Sequence, residues 1–479
     1  MVAGPGSVPH LLIRADGGPD VGSGHLARCL ALAEAWTDAR GRVTLCSAQP
    51  PERWVERYSD VGAQVLAPGT ALPSADWAVL DGYAIPSCDV AAVRAATERL
   101  LVVADLGLGP VDAADVLVDQ NSGADPATYA SRAPVVLLGG RYALLRRQFR
   151  VHGTSGAAIP ARSGAGRTRL LLSAGESALP ASGSVVEQLR EAGALDGLEQ
   201  VPLIGVDDVP SVMASVDLAL AAAGSTVWEL AFMGVPMVVF AVADNQVPVA
   251  RHLVEAGLAL GEPSRTPNLP ALARALALLA ADPAQRTALG AAGRRLVDGN
   301  GAPRIVTRLR SAMLTLRAVT RDDAPLLWEW VNDPATRASS FLSGPVPWED
   351  HRRWMDARLA DPRTFFWLAI STDGRPVGQV RFDVLDAAAE IAVSLAPAFR
   401  GQGWGPALVA AGVDAFSAQD HLHGVHRVVA RIKPENHASQ QVFRFADFDE
   451  MAPGDGPSGG KRLQDQPHRC YSRSLSDPG

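Results

Sequence analysis

His25 lies behind two glycine-rich steps, Asp16-Gly17-Gly18 and Gly22-Ser23-Gly24, in the segment DGGPDVGSGHLARC. Glycines at a strand-to-helix turn let the backbone approach a ligand closely, and a helix N-terminus offers unpaired N–H groups to an anion. An imidazole there, with a reference pKa of about 6.5, suits a general base. The alternative is a histidine that caps or packs its own helix. A similar cluster occurs at Ala223-Gly224-Ser225-Thr226, with Glu229 three residues on. Glu229 reads either as a surface carboxylate favoured by the helix dipole or as an acceptor for ribose hydroxyls. Asp244-Asn245-Gln246 follows the next apolar run, and Asn245 is open to a role as helix N-cap. A third cluster, Arg400-Gly401-Gln402-Gly403-Trp404-Gly405, has Arg-x-x-Gly-x-Gly spacing. That spacing sets successive amides at a helix start, where a pyrophosphate can sit; the alternative is a glycine turn after a strand.

These clusters need strands that end beside them. HLLIRAD, RVTLCSA, DWAVLDG, RLLVVADL, DVLVDQ and PVVLLGG are nearly continuous apolar runs in the first 150 residues. Such runs fit a parallel sheet covered on both faces. Leu26, Cys29, Leu30, Ala33 and Trp36 fall at helical spacing behind the first glycine cluster. After a Gly/Ser/Ala-rich linker at residues 151–166, RLLLSAG, VDLALAAAG and PMVVFAVA repeat the pattern. Two doubly wound units imply a cleft between them, because open parallel sheets bind ligands at their carboxyl ends. Residues 265–312 are Ala/Leu/Arg-rich and read as helices closing the second unit. From Leu314 the pattern becomes α+β, and six of the ten tryptophans fall between Trp328 and Trp404. The expected organisation is residues 8–150 and 167–312 as two Rossmann-like halves, 313–449 as an α+β domain, and 450–479 as a flexible tail. Within that tail only HRCYSRSL resembles a strand.

Composition narrows the chemistry. The chain has 479 residues, too many for one core, with 47% hydrophobic and 20% charged residues and a net charge of −7. No basic stripe is present, so nucleic acid is not an expected partner. Lys433 and Lys461 are the only lysines, and neither lies in a phosphate-loop motif, which excludes a P-loop kinase or ATPase. Cys29, Cys46, Cys88 and Cys470 show no metal-ligand spacing, so no metal is expected. The thiols fit a reducing, cytoplasmic setting. No apolar run reaches about 18 residues, the length of a membrane span, and the N-terminus lacks the pattern of a secretory signal.

Taken together, RADGG, GSGHLARC, VLDGY, LLGGRYALLR, AAAGSTVWEL and ADNQ resemble the UDP-sugar hydrolase of pseudaminic acid biosynthesis over about residues 10–260. That family is similar to the glycosyltransferase-B fold of the lipid II N-acetylglucosaminyltransferase. The resemblance implies metal-independent, inverting displacement of UDP by water. It implies that His25 activates the water and that Tyr83 and Asn245 line the sugar and phosphates. Gly224, Ser225 and Thr226 would cradle the diphosphate and Glu229 would hold the ribose. Asp16, Gly22, Gly24 and Gln246 are further candidates for substrate contact. Two departures stand out: Ser173-Ala174-Gly175-Glu176 replaces a Phe-Gly-Gly-Ser-Asp-like loop, and the stretch on to Val212 looks shortened by a strand and a helix.

RGQGWG after EIAVSLAP, with Asn436 and Ser439 in KPENHASQQVF, resembles the GNAT acetyltransferases over about residues 313–449. The branches in view acetylate ribosomal-protein N-termini and pseudaminic-pathway aminosugars. The resemblance implies acetyl-CoA as cofactor, its pyrophosphate on the amides of Gln402, Gly403 and Gly405, with Arg400 opening the loop. Val393 and Leu395 would pair with the pantetheine arm, and Asn436 would support the cofactor. Glu390 is the candidate base acting through water; a solvated charge at a strand end is the alternative. Phe443 stands where many members carry a proton-donating Tyr, and Asp447 where a Gly is common. Trp348, Trp354 and Trp367 read as core in preference to a ligand platform. The expectation is a bifunctional nucleotide-aminosugar enzyme. The alternatives are a UDP-sugar glycosyltransferase with an accessory acetyltransferase, or one domain that only binds its ligand.

Overall fold

The computed structural model describes residues 8–18, 22–67, 69–83, 85–154, 167–173, 184–419, 424–452 and 467–475. The chain divides into two compact units: Pro9–Thr37 with Gly41–Ala302, and a second built on Pro303–Gly479 with Met1–Val8 and Asp38–Arg40.

The first unit holds two parallel sheets. Its larger sheet comprises β1 (His10–Ala15), β2 (Arg42–Cys46), β3 (Gln64–Leu66), β4 (Trp77–Asp81), β5 (Leu100–Val103), β6 (Val116–Asp119) and β7 (Val135–Leu138). The strand order is β3-β2-β1-β4-β5-β6-β7, so the order reverses between β1 and β4. All of β1 and β4 is buried, as expected for strands covered on both faces. The smaller sheet comprises β8 (Arg169–Ser173), β9 (Glu199–Pro202), β10 (Leu218–Ala222), β11 (Met237–Phe240) and β12 (Leu260–Glu262), in the order β12-β11-β10-β8-β9. Alternate residues feed two cores: Leu171, Ala219, Ala221 and Val239 pack on one face, Leu170, Leu172, Leu218, Leu220 and Val238 on the other. The nine apolar runs read as strands are all strands. The short, half-exposed β3, β9 and β12 carry too little apolar signal to stand out. The stretch before Val212 contains a helix, Val185–Glu191, and β9, while Ala174-Gly175-Glu176 lies outside the described residues.

The second unit has a mixed sheet of β13 (Leu314–Ala318), β14 (Thr364–Ser371), β15 (Pro376–Leu385), β16 (Ala388–Leu395), β17 (Arg427–Ile432), β18 (Asp449–Glu450) and β19 (Arg469–Ser474). The order is β13-β14-β15-β16-β17-β19-β18. Helix Trp404–Ser417 packs on β15, where Phe382 and Phe416 stack at 4.5 Å. A Cβ at Gly412 would come 2.7 Å from Val380, so glycine permits this close packing.

Two boundaries differ from expectation. Helix Gly301–Ser311, expected to close the second Rossmann-like half, belongs from Pro303 onward to the C-terminal unit. Its arginines decide this: Arg304 pairs with Asp447 at 2.8 Å and Arg308 pairs with Asp414. The expected tail also contributes structure. β19 pairs along all of β17, and Tyr471 is fully buried; this aromatic is the one residue of the strand that is buried.

Candidate functional site

In the first unit the carboxyl ends of both sheets line a cleft of about 870 Å³, within the range of small-molecule sites. Helix Gly24–Asp38 opens one wall and helix Thr226–Met233 the other. Both follow strands next to the points where strand order reverses, where doubly wound sheets bind ligands. The walls are close: a Cβ on Gly24 would lie 3.6 Å from the Ser225 hydroxyl.

His25 is 4% exposed and lines the cleft. Its Nδ1 lies 2.6 Å from Oδ1 of Asp81, the last residue of β4. A ring nitrogen against a carboxylate carries the proton, so in the neutral ring the lone pair is on Nε2. Asp81 is fully buried and also accepts from Arg28 Nε and Nη2, each at 2.6 Å. Burial alone would raise the Asp81 carboxyl, but Arg28 and His25 outweigh it and hold the group well below the usual carboxylate range. Arg28 lies one helical turn after His25 and its Nη1 donates to Asp105 at 2.8 Å. Tyr83 donates its hydroxyl to the same carboxylate oxygen of Asp105. Burial first, then Asp105, pushes the Tyr83 phenol far up, keeping it neutral.

The opposite wall receives the other predicted residues. Gly224, Ser225, Thr226, Glu229, Asn245 and Gln246 all line the cleft. Ser225 occupies the N-cap position without a side-chain cap bond, and among the described residues the Ser225 and Thr226 amides have no partner. These are the free donors that an anion needs. Glu229 pairs with Arg146 at 3.1 Å; burial raises its carboxyl and Arg146 opposes the rise. Asn245 makes no side-chain cap bond. Its Nδ2 instead donates to the Tyr83 hydroxyl at 2.9 Å. Gln246 turns Oε1 onto the Val242 amide at 3.0 Å. Gly22 and Gly24 also line the cleft, whereas Asp16 does not. The Asp16 carboxylate is taken by Arg14 at 2.6 Å and the Ala48 amide at 2.8 Å.

Sequence reasoning missed Arg28, Asp81, Asp105, Asn121 and Arg146. The signal was present: three successive strands run into aspartate, at WAVLD, LVVAD and VLVD. Aspartates closing adjacent parallel strands must gather at one sheet edge. Among the described residues no group of three or more His, Cys, Asp or Glu is placed to hold a metal ion.

In the second unit β16 and β17 pair in parallel only from Ala388↔Arg427 to Glu390↔Val429. Both strands continue, to Leu395 and Ile432, so they part after Glu390. Val393 and Leu395 thus lie on a stretch bonded to β15 but not to β17, an opening that suits an extended arm with amide groups. Gly401 and Gly403 take positive φ, 68° and 74°, in the loop leading to helix Trp404–Ser417, a conformation that glycine adopts freely. The loop is braced by Arg310, whose Nη1 donates to the Gln402 carbonyl at 2.5 Å. Arg400 is held by Asp333 at 2.5 Å and Thr336 at 2.9 Å, and Gln402 donates to the Ala398 carbonyl at 2.6 Å. Gly405 is a packing glycine, since a Cβ there would meet Val442 at 2.9 Å. Asn436 caps helix His437–Phe445 by accepting from the Ser439 amide at 3.1 Å. Glu390 pairs with Arg431 at 3.3 Å; burial raises its carboxyl and Arg431 opposes this.

Phe443 is 4% exposed and meets Phe448 edge-on at 5.0 Å. Asp447 explains why glycine is common at its position, for its φ is 67°. Replacing Asp447 by Ala or Gly removes the Arg304 pair equally, but only Ala keeps the left-handed strain. Asp447→Ala should therefore be less stable than Asp447→Gly by about 1 kcal/mol, read by thermal denaturation. Trp348, Trp354 and Trp367 are half-buried. Trp354 stacks with His351 at 5.7 Å and carries Arg381 over its ring at 5.0 Å.

Residues 313–449 match the family described as Acetyltransferase (GNAT) domain, so this part of the chain is a GNAT acetyltransferase domain. The match does not extend into the N-terminal unit. Among solved structures, a spermidine N-acetyltransferase from Vibrio cholerae in complex with CoA and spermine is 16% identical, covering 34% of this chain and 96% of its own, with a TM-score of 0.29. The aminoglycoside acetyltransferase AAC(6')-Ib in complex with coenzyme A is 19% identical, covering 34% of this chain and 94% of its own, with a TM-score of 0.28. No curated protein matches the chain. No helix among the described residues is long and apolar enough to cross a membrane.

Proposed function

We propose that the chain is a bifunctional nucleotide-aminosugar enzyme. Its N-terminal unit, a glycosyltransferase-B-like pair of Rossmann-like halves, hydrolyses a UDP-diacetamido-trideoxyhexose; its GNAT domain N-acetylates an aminosugar from acetyl-CoA. The observation that carries the hydrolase reading is the Asp81–His25 pair, facing the unpartnered amides of Ser225 and Thr226 across the cleft.

In this reading His25 Nε2 takes a proton from water as the water oxygen bonds to the anomeric carbon. The bond from that carbon to the UDP oxygen breaks, and its electron pair leaves with UDP. Asp81 keeps the ring oriented and stabilises the imidazolium that forms, as a carboxylate does in acyl-transfer triads. Developing phosphate charge falls on the Ser225 and Thr226 amides, donors fixed before the reaction begins. Glu229 accepts from the ribose hydroxyls while Arg146 holds it in place. In the GNAT domain the amine nitrogen bonds to the thioester carbonyl carbon, the carbon–sulfur bond breaks and its electron pair leaves with CoA as the thiolate, while the strand edge at Val393 and Leu395 orients the arm. Glu390, at the point where the strands part, receives the amine proton through water.

Mass spectrometry of products from a panel of UDP-aminosugars, with and without acetyl-CoA, tests both halves. Acetylated sugar and free UDP are expected from one panel member. UDP release that requires an added acceptor would make the first unit a glycosyltransferase. If neither CoA nor UDP is released from any member, the reading fails.

A further inference from the structure

We infer that Asp105 is a positioning residue that ties the His25 wall of the cleft to Asn245 on the opposite wall, by fixing the direction of the Tyr83 hydroxyl. The kinetic part of this inference rests on the hydrolase reading; the geometric part does not.

Asp105 lies just past β5 and is 9% exposed. Its carboxylate accepts from Arg28 at 2.8 Å, from Asn121 at 3.0 Å and from the Tyr83 hydroxyl. A phenol has one proton. With that proton committed to Asp105, the Tyr83 oxygen can only accept from Asn245, whose Nδ2 is 2.9 Å away. The amide is thereby fixed: its nitrogen points to Tyr83, leaving Oδ1 and the second N–H for a ligand in the cleft. In the reversed orientation two lone pairs would face each other with no proton between them. Arg28 extends the chain of contacts to Asp81 and so to His25. His25 itself meets the Tyr83 ring edge-on at 4.7 Å. One continuous path thus runs from the base to the nucleotide side, and Asp105 is its branch point.

This path gives Tyr83 a role different from proton donor to the leaving group. The charged and titratable groups facing its hydroxyl are Asp105, Arg28, Asp81 and His25. Burial and the Asp105 carboxylate hold the phenol neutral far above its ordinary range. Tyr83 therefore acts by holding Asn245.

The test uses the full chain with Asp105→Asn, Asp105→Ala and Tyr83→Phe. Phenolate absorbance is followed against pH, with Tyr83→Phe identifying the Tyr83 signal among the five tyrosines. In Asp105→Asn, Tyr83 should ionise at lower pH than in the parent protein, because the facing negative charge is gone. Turnover of a UDP-aminosugar at saturation should fall by about 10²-fold in Asp105→Ala, the scale of a misplaced positioning group, and by less in Asp105→Asn. UDP affinity by calorimetry should fall by much less than turnover. An unmoved Tyr83 titration, or unchanged turnover in both variants, overturns the inference. So does a parallel loss of thermal stability, UDP affinity and turnover, which marks a purely structural group. Should Asp105→Ala fail to fold, the near-isosteric Asp105→Asn carries both readouts. If the parent protein releases no UDP from any aminosugar, the hydrolase reading falls, and the Tyr83 titration alone decides for or against Asp105.

Discussion

Replacing His25 with alanine should lower UDP release from the substrate by about 10²–10⁴-fold, the usual worth of a positioned general base, with UDP affinity retained. The split is expected because the nucleotide side of the cleft is built from other residues. The free amides belong to Ser225 and Thr226, and Glu229 is braced by Arg146. Acetyl transfer by the GNAT domain, in the other compact unit, should be unaffected, and the retained UDP affinity is the control for folding of the first unit. Coupled detection of UDP together with calorimetry reads both quantities on one preparation. Equal loss of UDP affinity and turnover would make His25 a binding residue, and unchanged turnover would remove it from the mechanism.

Arg28→Met should strongly destabilise the first unit, costing about 3–5 kcal/mol, as when one partner of a buried ionic group is removed. Methionine keeps much of the volume, so the loss reports charge. Without the guanidinium, Asp81 is left fully buried with only His25 and Cys29 as partners, and Asp105 loses its cation. The pH dependence carries a sign. In the parent protein the Asp81 carboxyl is depressed. Its contribution is therefore complete above its unfolded value of about 4 and is lost as pH falls toward the native value. In Arg28→Met burial dominates and raises the carboxyl, so acidification neutralises the unpaired charge and relieves the variant. The stability gap should be widest at neutral pH and narrow below about pH 5, as measured by denaturant unfolding across pH. A gap that widens on acidification would show that Asp81 is not the group exposed by the change.

How far the chain could be read before folding depends on how local each signal is. A strand buried on both faces is mostly apolar, so β1, β4, β10 and β11 are legible as runs of letters. β3, β9 and β12 are short edge strands held by neighbours, and nothing local marks them. Glycine clusters announce strand-to-helix turns because backbone conformation is a local property; Gly22, Gly24 and Gly224 reach the cleft, while Asp16, in the same motif as Gly22, turns away to Arg14.

The amino-acid sequence by itself determined the parallel sheets, the glycine turns and the position of His25 at a sheet's carboxyl edge, since these follow from periodicity and backbone freedom over a few residues. Only the tertiary structure decided which groups His25 and Tyr83 meet. Asp81, Asp105 and Arg28 come together because β4 and β5 lie side by side and helix Gly24–Asp38 crosses their ends. Asn245 could be a cap by its sequence position, yet its amide reaches Tyr83, 162 residues away. The reason is physical: a buried charge or polar hydrogen must find its partner in space, and such partners are chosen by strand order, which no short stretch of sequence records.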